Sequence, residues 1–204
     1  MNIVTLDKKT YAKGKTWKEY YKKGGDLLAI TYDLTWHLMF CKLKNEPKYY
    51  QVFDKLKKIV ENNPEITIFP KPELVFSAFL ITPLDELKVV ILGQDPYFNS
   101  EPEGNATVPQ ATGLSFSVCN GMKIPPSLDN IFNNLIKYGH MTEKPENGNL
   151  SLWAAQGCLM LNTALTVVDG EKKSHSHLWS WFTDEVISYI SKNCDEIIFV
   201  IWGA

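Results

Sequence analysis

A chain of 204 residues with 45% hydrophobic and 12% aromatic content carries apolar surface for one substantial core, which makes a single globular domain the default. Its formal charge is -2, and all 21 basic residues are lysine. This excludes a globally basic nucleic-acid binder and removes bidentate arginine readout of guanine, so contact with nucleic acid has to come from a local patch.

Residues 1–35 mix lysines with Gly14, Gly24 and Gly25 and show no clear apolar period. They read as a partly ordered N-terminal extension before a domain spanning 36–204. From Tyr50 the positions Val52, Phe53, Leu56, Ile59 and Val60 recur at helical spacing with Pro64 just beyond, which predicts a helix ending near Asn62.

Three short apolar runs follow: Val89 to Leu92, Cys158 to Leu161, and Ile197 to Trp202. They are too brief for helices, and continuous rather than alternating hydrophobicity predicts strands covered on both faces, as in a parallel sheet. Between the first two, Ser127 is placed to cap a helix carrying Leu128, Ile131, Phe132, Leu135 and Ile136, with Gly139 past its end. Between the second and third, Asp184 and Glu185 are read as opening a helix with Val186, Ile187 and Ile190. Strand and helix alternate, so the expected fold is a three-layer α/β arrangement with a small central parallel sheet flanked by helices.

Ligands of such sheets bind outside the carboxyl ends of the strands. The first run ends in Gly93-Gln94-Asp95-Pro96-Tyr97, the second in Asn162-Thr163 and the third in Gly203-Ala204. A carboxylate, two amides and an aromatic are therefore expected around one cleft. Taken alone, each has a plainer reading. Asp95 before a proline is a common turn residue, Asn162 can cap a turn, Phe116 is by default a core aromatic, and Pro125-Pro126-Ser127 reads as a helix start.

The four cysteines, Cys41, Cys119, Cys158 and Cys194, are far apart without a C-x-x-C pair, so neither a zinc site nor an iron-sulfur cluster is signalled and reduced thiols are expected. The N-terminus lacks an apolar signal region, and no run reaches the roughly 18 apolar residues of a membrane span. A soluble protein of a reducing, intracellular compartment is expected.

The segment Lys88 to Tyr97 resembles the water-activating segment of the family 1 uracil-DNA glycosylases. Three further blocks follow in the family's order. Gln110 to Val118 matches the next motif, Ile124-Pro125-Pro126-Ser127-Leu128 resembles the proline-rich loop that compresses DNA, and Leu152 to Val167 matches the uracil-recognition strand. Ser176-His177 and Phe182-Thr183-Asp184 come after them. The resemblance runs from about Trp36 to Ala204 and implies base-excision repair, with uracil hydrolysed from single- or double-stranded DNA and no metal or cofactor.

On this resemblance Asp95 is the catalytic carboxylate that orients a water and stabilises the sugar cation. Asn162 reads the uracil edge, Phe116 stacks on the flipped base, Tyr97 fills the space of a thymine methyl, and Gln94 bonds a uracil carbonyl. Pro125, Pro126, Ser127 and His177 meet the DNA backbone. Replication proteins and a proteinaceous glycosylase inhibitor are the implied protein partners.

The pattern departs from the family at several points. Phe98 and Thr112 stand where it usually has histidines, and residues 99–109, rich in Gly, Pro, Asn and Glu, are expected to form an exposed, mobile insertion. The family's H-P-S-P-L-S loop has no counterpart before Ala204, which reads as a C-terminal truncation. As it stands, the chain is expected to be a weak glycosylase with an exposed strand edge. The alternatives are a DNA-binding or replication-scaffold protein of the same fold with little catalysis, and a glycosylase of altered base choice.

Overall fold

The computed structural model describes residues 5–29 and 31–202; Gly203 and Ala204, read above as the polar end of the last run, lie outside them. The chain enters through two short helices, each with a local cap. Asp7 accepts from the Thr10 N–H at 2.7 Å to start α1 (Lys8–Ala12). Thr16 and Glu19 form a reciprocal capping box at the head of α2 (Trp17–Lys22). Leu6, Tyr11 and Trp17 are buried in the main core, and the Trp17 indole donates to the Pro70 carbonyl at 2.9 Å. The buried Lys71 ammonium donates to the carbonyls of Tyr11, Ala12 and Gly14 at 2.8, 3.0 and 2.7 Å, filling its three donor positions.

Helices α3 (His37–Lys44) and α4 (Pro47–Asn62) follow. The apolar stripe predicted from Tyr50 onward is the buried face of α4, ending at Asn62 as its spacing requires. After β1 (Ile68–Phe69) comes α5 (Ser77–Ile81). Phe53, Phe76 and Phe79 from this region meet Trp179 or Phe182 edge to face, and Phe40 stands edge to face on Phe79. Such pairs add about 0.5–1.5 kcal/mol each beyond the area they bury.

The expected central sheet is present. Strand β2 (Val89–Gly93) is followed by the pair β3 (Ser100–Glu103) and β4 (Ala106–Pro109), then by α6 (Pro126–Lys137) and α7 (Ser151–Ala154). Next come β5 (Cys158–Asn162), β6 (Val167–Val168), α8 (Ser176–Asn193) and β7 (Ile198–Ile201). The sheet order is β5-β2-β7, with both pairs parallel. Strand β6 pairs antiparallel with β1. Chain order therefore steps from the central strand to one side and then over to the other, the arrangement that opens a crevice at the carboxyl ends.

Four local readings are corrected. First, β7 is not covered on both faces: Ile198 is 62% and Ile201 72% exposed, whereas β5, the other edge strand among the described residues, is buried. Second, α8 begins at Ser176, so Asp184 and Glu185 lie mid-helix; buried Leu178, Trp179 and Phe182 extend the apolar face toward the N-terminus. Third, residues 99–109 form a hairpin turning at Gly104, with Val108 buried. Glu101 ties it down by accepting from Lys8 Nζ at 3.3 Å and the Lys123 N–H at 3.2 Å. Fourth, Ser127 is not the cap of α6. Proline at the first helical position sets the start two residues earlier, and the capping position falls to Pro125. Gly139 does close α6, with φ 75° and its N–H on the Ile136 carbonyl.

Candidate active site at the carboxyl ends of the strands

The cleft is built outward from the end of β2. Gly93 pairs in register with Asn162 of β5, and the two chains stay bonded past the strands. Thr163 N–H donates to the Gly93 carbonyl at 2.9 Å, while Ala164 N–H and the Thr163 hydroxyl both donate to the Gln94 carbonyl, at 3.1 and 2.6 Å. That carbonyl is thereby occupied, and Gln94 meets the cleft through the rest of its surface.

Asp95, one step further, is held by the turn before α8 and by the first residue of that helix. Oδ2 accepts from the Lys173 N–H at 3.0 Å and Oδ1 from the Ser176 hydroxyl at 3.3 Å. Lys173 takes a left-handed backbone, φ 61°, to aim that N–H. A non-glycine residue in this region stores strain of about 1–3 kcal/mol, which the surrounding structure has to hold.

Phe116 is the second such residue, also at φ 61°. Its flanks are fixed: Ser115 N–H donates to the Met160 carbonyl at 3.0 Å, and the Thr112 hydroxyl donates to the Ser117 carbonyl at 3.3 Å. The ring stands edge to face with Trp202, centroids 5.5 Å apart. Tyr97 bridges this wall to α6, its hydroxyl donating to the Phe116 carbonyl at 3.3 Å and lying 2.7 Å from Ser127 Oγ. Burial pushes the Tyr97 phenol up to about 12, with the Ser127 bond opposing. Pro125 is buried, whereas Pro126 and Ser127 face solvent at the head of α6.

These groups surround one cavity of about 620 Å³. Gln94, Asp95, Tyr97, Phe116, Pro125, Pro126, Ser127 and Asn162 all line it, so eight of the nine residues singled out from sequence come together. His177, the ninth, is exposed in the first turn of α8 and does not line it. Asn162 sits at its floor, 7% exposed, and among the described residues no protein group takes up its side-chain amide. Sequence reasoning missed Lys172, Trp202 and Gln110, which also line the cavity. It also missed the buried His175, whose Nδ1 lies 2.8 Å from the Thr166 hydroxyl, which in turn accepts from the Trp179 indole at 2.7 Å. Burial first, and the nearby His177 second, lower His175 to about 4.

Among the described residues no group of three or more His, Cys, Asp or Glu side chains is placed to hold a metal, and no helix is long and apolar enough to cross a membrane. The four cysteines are free thiols.

A parallel α/β sheet with a carboxylate, a buried amide and two aromatics at the carboxyl ends of its strands defines a ligand-binding α/β domain. The family model described as the uracil DNA glycosylase superfamily matches residues 81–204. A probable uracil-DNA glycosylase of Acanthamoeba polyphaga mimivirus is 39% identical over 191 residues, covering 93% of this chain and 50% of that protein. A uracil-DNA glycosylase of Helicobacter hepaticus is 50% identical over 137 residues, covering 67% and 58%. In three dimensions, the crystal structure of mimivirus uracil-DNA glycosylase aligns with TM-score 0.91 at 37% identity, covering all of this chain and 72% of that one. A mimivirus UNG variant in complex with UGI aligns equally well, covering 73% of its chain. The chain belongs to the uracil-DNA glycosylase family, and spans between half and three quarters of the length of the relatives it matches.

Proposed function

We propose that this chain hydrolyses the N-glycosidic bond of uracil in DNA, releasing free uracil and leaving an abasic site for base excision repair. The observation that supports this most directly is the Asn162 amide, without a hydrogen-bond partner among the described residues, in a cavity that also holds Asp95 and Phe116. An amide offers one acceptor and two donors, an order that suits N3–H and O4 of uracil and clashes with the donor of cytosine. Sites built on buried hydrogen bonds reject the wrong edge by roughly 10⁴–10⁵, because their own polar groups would stay unpaired.

In this reading the target nucleotide leaves the stack and enters the cavity, where the Phe116 ring lies along the base. Tyr97, fixed by its bonds to Ser127 and the Phe116 carbonyl, excludes the 5-methyl of thymine by volume. Gln94 bonds a base carbonyl. Asp95 orients a water toward C1′, and its fixed charge stabilises the cation that develops on the sugar only in the transition state. The hydroxyl-bearing head of α6, Pro125 to Ser127, meets a backbone phosphate. His177, exposed beside the residue that holds Asp95, meets the backbone further out. A proteinaceous inhibitor of the kind bound to mimivirus UNG is proposed to cover the same cleft.

The test is release of free uracil from single-stranded and duplex oligonucleotides carrying one uracil, with cytosine and thymine at the same position as controls. Release from uracil substrates alone is expected. Binding of all three without release would replace this reading with that of a DNA-binding scaffold.

A further inference from the structure

Fifteen of the described residues line the cavity, and among them Asp95 is the one anion and Lys172 the one cation. We infer that Lys172 is a phosphate-binding residue of this cleft, gripping the phosphodiester next to the nucleotide that enters it. The inference rests on the proposed nucleic-acid substrate and adds a contact that the motif comparison did not point to.

The turn carrying Lys172 is stitched to the catalytic segment on both sides of it. Gly170 N–H donates to the Phe98 carbonyl at 2.9 Å, and Lys173 N–H donates to Asp95 Oδ2 at 3.0 Å. The backbone of residue 172 is thus set against residues 95–98 and only its side chain is free to swing. The ammonium rests 5.1 Å from the centroid of the Phe98 ring, and none of the ion pairs among the described residues includes it. A ring face holds an exposed ammonium weakly and competes poorly with a phosphate, which offers a full charge and several acceptors. The Phe98 side chain has no donor, so it cannot supply the contact itself. In a chain of net charge -2, a cation at the mouth of the cleft is what lets an anionic backbone approach Asp95.

The test separates charge from packing. Binding of a labelled single-stranded oligonucleotide carrying one uracil is followed by anisotropy against salt in an Asp95→Asn background, which slows turnover. Lys172→Met should lower the slope of log affinity against log salt by about 0.7, the value for one phosphate contact on a single strand. Lys172→Arg should keep it, and Lys57→Met on α4 should leave it unchanged. Replacing the phosphates flanking uracil one at a time by neutral methylphosphonate should weaken the parent at one position and leave Lys172→Met indifferent there. Equal slopes for parent and Lys172→Met, additive losses in that cycle, or no binding by the parent would overturn the assignment. Uracil release is scored separately. Cleavage with an unaltered slope sinks Lys172 alone, and a Lys172-dependent slope without cleavage sinks the glycosylase reading alone.

Discussion

Gly93 faces Asn162 across the β2–β5 pair so closely that a β-carbon at position 93 would collide with Asn162 Oδ1 and stand 3.2 Å from Ser115 Cβ and 3.3 Å from the Phe116 ring. Glycine here serves the cavity rather than a turn. Gly93→Ala is expected to displace the amide and the stacking ring together while leaving the ladder intact. Since misplacement by about 1 Å can cost on the order of 100-fold, kcat/KM for uracil release should fall by that order with far-UV circular dichroism unchanged. Parental kinetics would show that the pocket yields without cost.

Asp95→Asn keeps the volume and one acceptor for the Lys173 N–H but removes the charge. Turnover should drop by roughly 10²–10³ or more, the scale of a lost preorganised electrostatic contact, with the melting temperature close to the parent's. Near-normal single-turnover rates would remove Asp95 from the chemistry.

Tyr97→Ala opens the space beside the base and releases the tie between Phe116 and Ser127. Thymine release should become measurable, and uracil release should persist at a reduced rate. A variant that still ignores thymine while processing uracil normally would show that the methyl is excluded elsewhere.

His175 gives a pH dependence of stability with a defined sign. Its folded value, about 4, lies below the ordinary 6.5, so between these values the unfolded chain binds the proton more readily. The contribution is complete above about pH 6.5 and drains as pH falls toward 4, on the order of 3 kcal/mol in all. Urea denaturation should show the parent losing stability across this window more steeply than His175→Gln. Parallel curves would mean that the imidazole titrates alike in the folded and the unfolded chain.

The parts of the fold legible from sequence were those written by burial. The unbroken runs of β2 and β5 and the spaced apolar positions of α4 announce themselves because covering a strand or one helix face leaves only one pattern. Ser127 misled because a serine ahead of an apolar stripe reads as a cap, while the geometry was decided by Pro126 and the hydroxyl went to Tyr97. Thr16 and Glu19 did carry a helix-start signal, within a segment whose lysines and glycines hid it. Most of the candidate site came from strand ends and motif resemblance. The holders of Asp95 did not, since Lys173 and Ser176 lie 78 and 81 residues from it, and contacts at that range leave no period in the sequence.

The order of the central sheet sets a clock on the cleft. Val89 pairs with Cys158 and with Ile198, so the central strand is synthesised long before either neighbour, and the second arrives more than a hundred residues later. Pairings of such separation are slow, because loop closure has to precede any reward from contact. On the ribosome the segment from Gly93 to Tyr97 therefore emerges with nothing to hold it. Asp95 gains its partners only once the turn before α8 is out, and the Phe116 wall gains Trp202 later still.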